Sequence, residues 1–145
     1  MLIVQTSVDK ILEKFPVENM KTSNQKYYKI EFDNQPEYLS AYVSGEKDSL
    51  EISRQFWREI SEECKRVECK KLLIVEDIEE AVSMADIYMI ASEIPQLFYG
   101  VRIVFVDTHL DHQSLNEFGE IVATNRGVHG KIFNDVEEAK KWLLL

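Results

Sequence analysis

The stretch KLLIVEDIEEAVSMADIYMI, Lys71 to Ile90, decides how the chain is read. Leu72, Leu73, Ile74 and Val75 are an unbroken apolar run, the pattern of a strand covered on both faces and therefore central in a sheet. Glu76, Asp77, Glu79 and Glu80 follow as an acidic loop, and helical spacing resumes at Ala81 or Val82. In open α/β sheets ligands gather outside the carboxyl ends of such strands, so this loop is where a site is expected.

On either side the periodicity alternates between two and about 3.6 residues. Tyr27 to Asp33 and Tyr38 to Ser44 alternate as half-buried strands, separated by a turn at Asn34 to Glu37, which predicts an antiparallel hairpin. Asp48 or Ser49 caps a helix whose stripe is Leu50, Ser53, Phe56, Trp57, Ile60, Cys64 and Val67. Past the central strand a helix runs from about Val82 to Phe98, with Pro95 ending or kinking it. Val101 to Asp107 is a second buried strand, parallel to the first, and Asp111 to Arg126 is helical. Lys131 to Phe133 makes a last short strand, and a capped helix carrying Ala139, Trp142 and Leu143 closes the chain. Met1 to Met20 reads as a helix stopped by Pro16, or opens with a short strand at Leu2 to Val4. The expectation is one α/β domain over residues 1–145, with 1–20 an N-terminal extension and 21–145 the core. It holds a mixed sheet of four or five strands, begun by the hairpin and continued by alternating helices and strands. Trp57 and Trp142, each on an apolar stripe, are expected to be largely buried.

Composition narrows the function classes. With 45% apolar and 30% charged residues the chain belongs with globular domains. Its 17 Lys and Arg against 26 Asp and Glu leave a formal charge of −9, a field that repels nucleic-acid backbones and anionic membranes. No window approaches the roughly 18 apolar residues of a spanning helix, and the N-terminus lacks the basic region and apolar core of a signal peptide. A cytoplasmic protein is the expectation. Cys64 and Cys69 fit neither CxxC nor half a zinc site, and are read as reduced structural thiols.

The hairpin ending Val43, Ser44, Gly45, the Phe56 and Trp57 helix, the strands KKLLIVED (70–77) and VRIVFVD (101–107), and the closing run from Asn125, Arg126, Gly127 through Ile132, Phe133 to Glu138, Ala139, Trp142, Leu143 resemble the STAS and SpoIIAA-like superfamily. The resemblance covers about Tyr27 to the C-terminus and extends to a lipid-exchange-like branch grouped with CRAL-TRIO domains. It implies a non-catalytic regulatory module that contacts a protein partner. In that family a loop serine at a helix N-terminus is phosphorylated; here only Ser83 matches, in a loop without glycine and beside carboxylates that would repel a phosphate. A helix cap is the plainer role for Ser83.

Other chemistry is thin. The five glycines never approach a phosphate-binding pattern, and no serine or cysteine sits in a nucleophile motif, so no catalytic residue, metal ligand or cofactor is assigned. Asp107, Thr108, His109, Asp111 and His112 are the densest reactive cluster. They could serve a metal-dependent hydrolase through His109 and His112, but the run is local and is read as a loop with exposed histidines and a Thr108 or Asp111 cap. Met84, Tyr88, Met89, Phe98 and Tyr99, on or after one helix, could line a site for a small apolar ligand. The Val82 to Phe98 helix is apolar over more of its circumference than one core needs, which suggests a homodimer through it, unless Met1 to Met20 covers that face.

Overall fold

Strand β3, Lys71–Ile78, is longer than its hydropathy predicts, because Glu76, Asp77 and Ile78 continue the ladder instead of starting a loop. In the computed structural model, which describes residues 26–145, β3 lies in the middle of a five-stranded sheet of order β1-β2-β3-β4-β5. β1 (Tyr28–Asn34) and β2 (Leu39–Gly45) form the antiparallel hairpin, and β2, β3, β4 (Arg102–Asp107) and β5 (His129–Phe133) run parallel. Every connection between parallel strands contains a helix: α1 (Leu50–Arg66), α2 (Met84–Leu97) and α3 (Gln113–Asn125). A last helix, α4 (Val136–Leu143), follows β5. The α/β class, the mixed sheet and the hairpin agree with the sequence reading. Expectations for Met1 to Met20 lie outside the described residues.

The period of two along each strand sorts the core into two layers. Leu72, Ile74 and Ile78 of β3 and Ile103 of β4 pack with Phe56, Trp57 and Ile60 of α1 and Ile90 and Ile94 of α2. Leu73, Val75, Val104 and Val106 point the other way, onto Ala139 and Leu143 of α4. Trp57 is buried, stacked on Phe105 and edge-on to Phe98. Trp142 is only half-buried, contrary to expectation, because the short α4 leaves its ring at the sheet margin under the Arg102 guanidinium, 4.0 Å from the ring centre.

Local chemistry fixes the helix ends. Ser49 Oγ accepts the Ile52 N–H at the start of α1, with Glu51 in the first turn and Lys65 and Arg66 in the last, as the helix dipole favours. α1 stops where Glu68 takes a left-handed φ of 56°, and the Cys69 N–H turns back to the Cys64 carbonyl. That turn brings the two Cα atoms to 5.1 Å, within disulfide reach, and Cys64 and Cys69 are bonded to each other rather than reduced. At the outer edge of β5 the Ile132 N–H donates to Glu120 Oε2 of α3 at 2.9 Å.

Candidate functional site at the carboxyl ends of β3 and β4

Strand parity places the first two residues. Glu76 shares a face with Leu72 and Ile74, and Asp107 shares one with Ile103 and Phe105; the two are direct partners across the parallel β3–β4 ladder. Neighbouring strands lie about 4.8 Å apart, so two carboxyls on one face at paired positions are adjacent. Both point inward beneath the helices, 9% and 6% exposed.

His112 joins them from the turn after β4. Asp107 Oδ1 accepts the His109 N–H at 2.8 Å, which bends the chain into a 3-10 turn, Leu110–His112, and delivers the imidazole back over the strand ends. His112 is 5% exposed, not a solvent-facing loop histidine. Its Nδ1 lies 3.2 Å from Asp107 Oδ2 and its Nε2 3.1 Å from the Glu79 carbonyl oxygen. Asn116 Nδ2 also donates to Asp107 Oδ2, at 2.9 Å. Neither Thr108 nor Asp111 caps α3; its N-cap is His112 itself, without a side-chain bond. Thr108 instead donates to Asp77 Oδ1 at 3.1 Å.

Asp48, in the loop before α1, completes the acidic end. Its Oδ1 accepts from the Ser49 N–H at 2.8 Å and from Ser53 Oγ at 2.7 Å. Burial pushes its carboxyl up to about 6 in spite of those two bonds, and Glu80 adds to the rise. Burial also holds the Glu76 carboxyl well above the ordinary range, reinforced by the charges of Asp107 and Asp48. No described residue donates a hydrogen bond to the Glu76 carboxyl, which opens on a pocket.

That pocket runs from the acidic end between α2, α3 and the β4–β5 face. Ile87, Ile90, Ala91 and Ile94 of α2, Leu115, Gly119 and Ala123 of α3, and Trp57, Ile103 and Phe105 beneath them form a mainly apolar wall around a cavity of about 120 Å³. An apolar chamber of roughly 150 Å³ accepts a benzene ring, whereas drug-sized pockets start near 300 Å³. Single rings and short chains match this size, and lipid tails do not.

A second carboxylate and histidine pair lies on the outer side of the same edge. Asp77 accepts from Tyr42 at 2.7 Å and pairs with His109 Nε2 at 2.9 Å, and these bonds, Tyr42 first, hold its carboxyl below the usual value. The two histidine rings stack at 5.3 Å yet serve different carboxylates, His109 with Asp77 and His112 with Asp107.

The residues singled out on α2 do not line the cavity. Ser83 caps the helix, its Oγ accepting the Asp86 N–H at 3.1 Å. Met84, Tyr88 and Met89 face outward, Phe98 is buried against Trp57, and Tyr99 is almost wholly exposed. The opposite face of α2 builds the wall. Glu76 and Asp48 were legible only through strand parity and through the loop's position beside β3, since neither belongs to a motif. In comparisons with protein families and with curated proteins, no match to this chain was found.

Proposed function

We propose that the chain is a non-catalytic binding module, the class that the STAS resemblance implies, and that it receives a compact small molecule in the pocket between α2, α3 and the sheet. The observation that carries this reading is the form of the chamber: about 120 Å³ of mainly apolar space closed at one end by Asp48, Glu76, Asp107 and His112. An apolar wall with a few convergent polar groups is how small-molecule sites combine affinity with orientation. The body of the ligand occupies the aliphatic chamber, and a positively charged or hydrogen-donating group meets the carboxyl end. This is a narrower form of the apolar-ligand carrier that the sequence offered as an alternative to protein contact, moved from the outer to the inner face of α2.

Ligand-observed NMR with toluene, benzyl alcohol and benzylamine tests it on the full chain. Saturable binding is expected, and Ala123→Leu, which adds an isopropyl group to the wall, should abolish it while leaving the fold intact. A ligand at ten times its Kd stabilises by about 1.4 kcal/mol and lifts the thermal midpoint by several degrees. Binding unchanged in Ala123→Leu, or none by any probe at millimolar concentration, would dismiss the reading.

A second reading, contact with a protein partner or a second copy, is favoured by one observation. Met84, Tyr88 and Met89 leave an apolar strip on the outside of α2, 42 to 55% exposed, that no described residue covers.

A further inference from the structure

The acidic end of the pocket has the makings of a metal centre, and we infer that Glu76, Asp107 and His112 bind one divalent transition-metal cation, of the zinc type. Each supplies one donor atom, and the three lie within 4.8 Å of one another. They converge from the end of β3, the end of β4 and the turn behind it, so the ladder and the Asp107 to His109 bond hold them without a ligand. The inference uses the pocket but does not require an organic molecule to fill it.

His112 argues for a cation most directly. Both ring nitrogens face acceptors: Nε2 the Glu79 carbonyl, Nδ1 an oxygen of Asp107. A neutral imidazole has one N–H. With that proton on Nε2, donated to the Glu79 carbonyl, Nδ1 is left as an electron-pair donor beside Asp107 Oδ2, and the two can hold one metal ion together, where an imidazolium would instead donate to both acceptors. A ligand histidine whose other N–H is fixed by a backbone carbonyl is the usual outer arrangement of metal sites. The His112–Asp107 spacing agrees, because donors about 2.0–2.1 Å from one tetrahedral ion stand roughly 3.3 Å apart, against 3.2 Å for this pair. Asp107 is further fixed by Asn116.

Glu76 supplies the second observation. Its side chain is nine-tenths buried, opens on the pocket and has no hydrogen-bond donor among the described residues. Lys131, the one lysine or arginine on the pocket wall among the described residues, has its ammonium over the Phe133 ring. A buried carboxyl without a donor beside a second carboxylate either takes up a proton or meets a positive charge, and a bound cation supplies that charge. One imidazole with two carboxylates selects zinc-like ions over magnesium or calcium, which prefer all-oxygen shells.

The test is calorimetric titration of the full, chelator-stripped chain with zinc chloride alone, so a negative result leaves the organic-ligand reading to its own NMR experiment. One zinc per chain is expected, with magnesium at least about tenfold weaker. Glu76→Gln keeps the shape, removes the charge, and should weaken zinc at least about tenfold, whereas His109→Ala, in the outer pair, should leave affinity unchanged. Zinc-edge X-ray absorption of the wild type reads the ligands directly, one imidazole with oxygen donors, whether or not the variant folds. No binding at about 1 mM zinc, wild-type affinity in Glu76→Gln, magnesium binding as tight as zinc, loss of affinity in His109→Ala, or a shell containing sulfur or two imidazoles would each overturn the assignment.

Discussion

Asp48 shows how one partly buried carboxyl couples the site to pH. Its folded-state value is pushed up to about 6 from an ordinary 3.8. Below about pH 4 the group is protonated whether the chain is folded or not, and its burial carries no ionic penalty. Between about 4 and 6 the unfolded chain ionises first, so this group's contribution to stability falls as pH rises, and above about 6 the loss is constant. Asp48→Asn keeps an amide oxygen for Ser49 N–H and Ser53 Oγ but cannot ionise. In chelator it should raise the thermal midpoint at pH 7.5, with the gain shrinking towards zero near pH 4. A gain independent of pH would show that packing, not charge, is responsible. Ser83 is a simpler case. Its Oγ serves the Asp86 N–H, so Ser83→Ala should cost about 1 kcal/mol in urea unfolding, and no measurable cost would mean that the cap contributes nothing.

At the scale of elements, burial outweighs charge in joining α1 to its neighbours. Arg54 grips Glu93 of α2 through both oxygens, yet both side chains are about a third exposed, and Arg54→Ala should cost no more than about 1 kcal/mol. Phe56 is fully buried between α1 and the sheet, and Phe56→Ala should cost about 3–5 kcal/mol. Chemical denaturation of the two variants checks that order, and near-equal losses would contradict it. The same contrast explains what the sequence disclosed. β3 was visible as a buried strand because Leu72 to Val75 are apolar on both faces. Its end was not, because pairing of Glu76 with Val43 on one side and Asp107 on the other continues the ladder where hydropathy stops. His112 looked like part of a local polar run; only the Asx-type turn on Asp107 carries it under the helices. The disulfide was hidden for a similar reason, since a spacing of five says nothing of the reversal at Glu68. On α2 the excess of apolar residues was legible, but which face lines a chamber depends on where α3 packs, and that is set by Ala91 meeting Val122 and Ala123.

For the molecule as a whole, the strip on α2 that no described residue covers is where the sequence reading expects a second copy, unless Met1 to Met20 lies over it. Arg126, the C-cap of α3, lies over the Tyr88 ring and donates to its hydroxyl, which holds part of the strip in a fixed shape while Met84 and Met89 remain outward. Sedimentation at about 0.15 M salt, where charges of −9 on each copy are largely screened beyond about 8 Å, should report a dimer at micromolar concentration that Met89→Glu dissociates. A monomer throughout that range would remove the self-contact from consideration. The hydrogen bond from Ile132 to Glu120 bears on a different kind of association. Among the described residues β5 is an outer strand, and its outward amide is the kind of donor on which a foreign strand can build a longer sheet. With Glu120 seated there, that donor is taken, and runaway stacking of one chain on the next is discouraged at this edge. Glu120→Ala frees it, and the protein's resistance to fibril growth, followed by thioflavin fluorescence during prolonged incubation, should decline even if its melting temperature hardly moves.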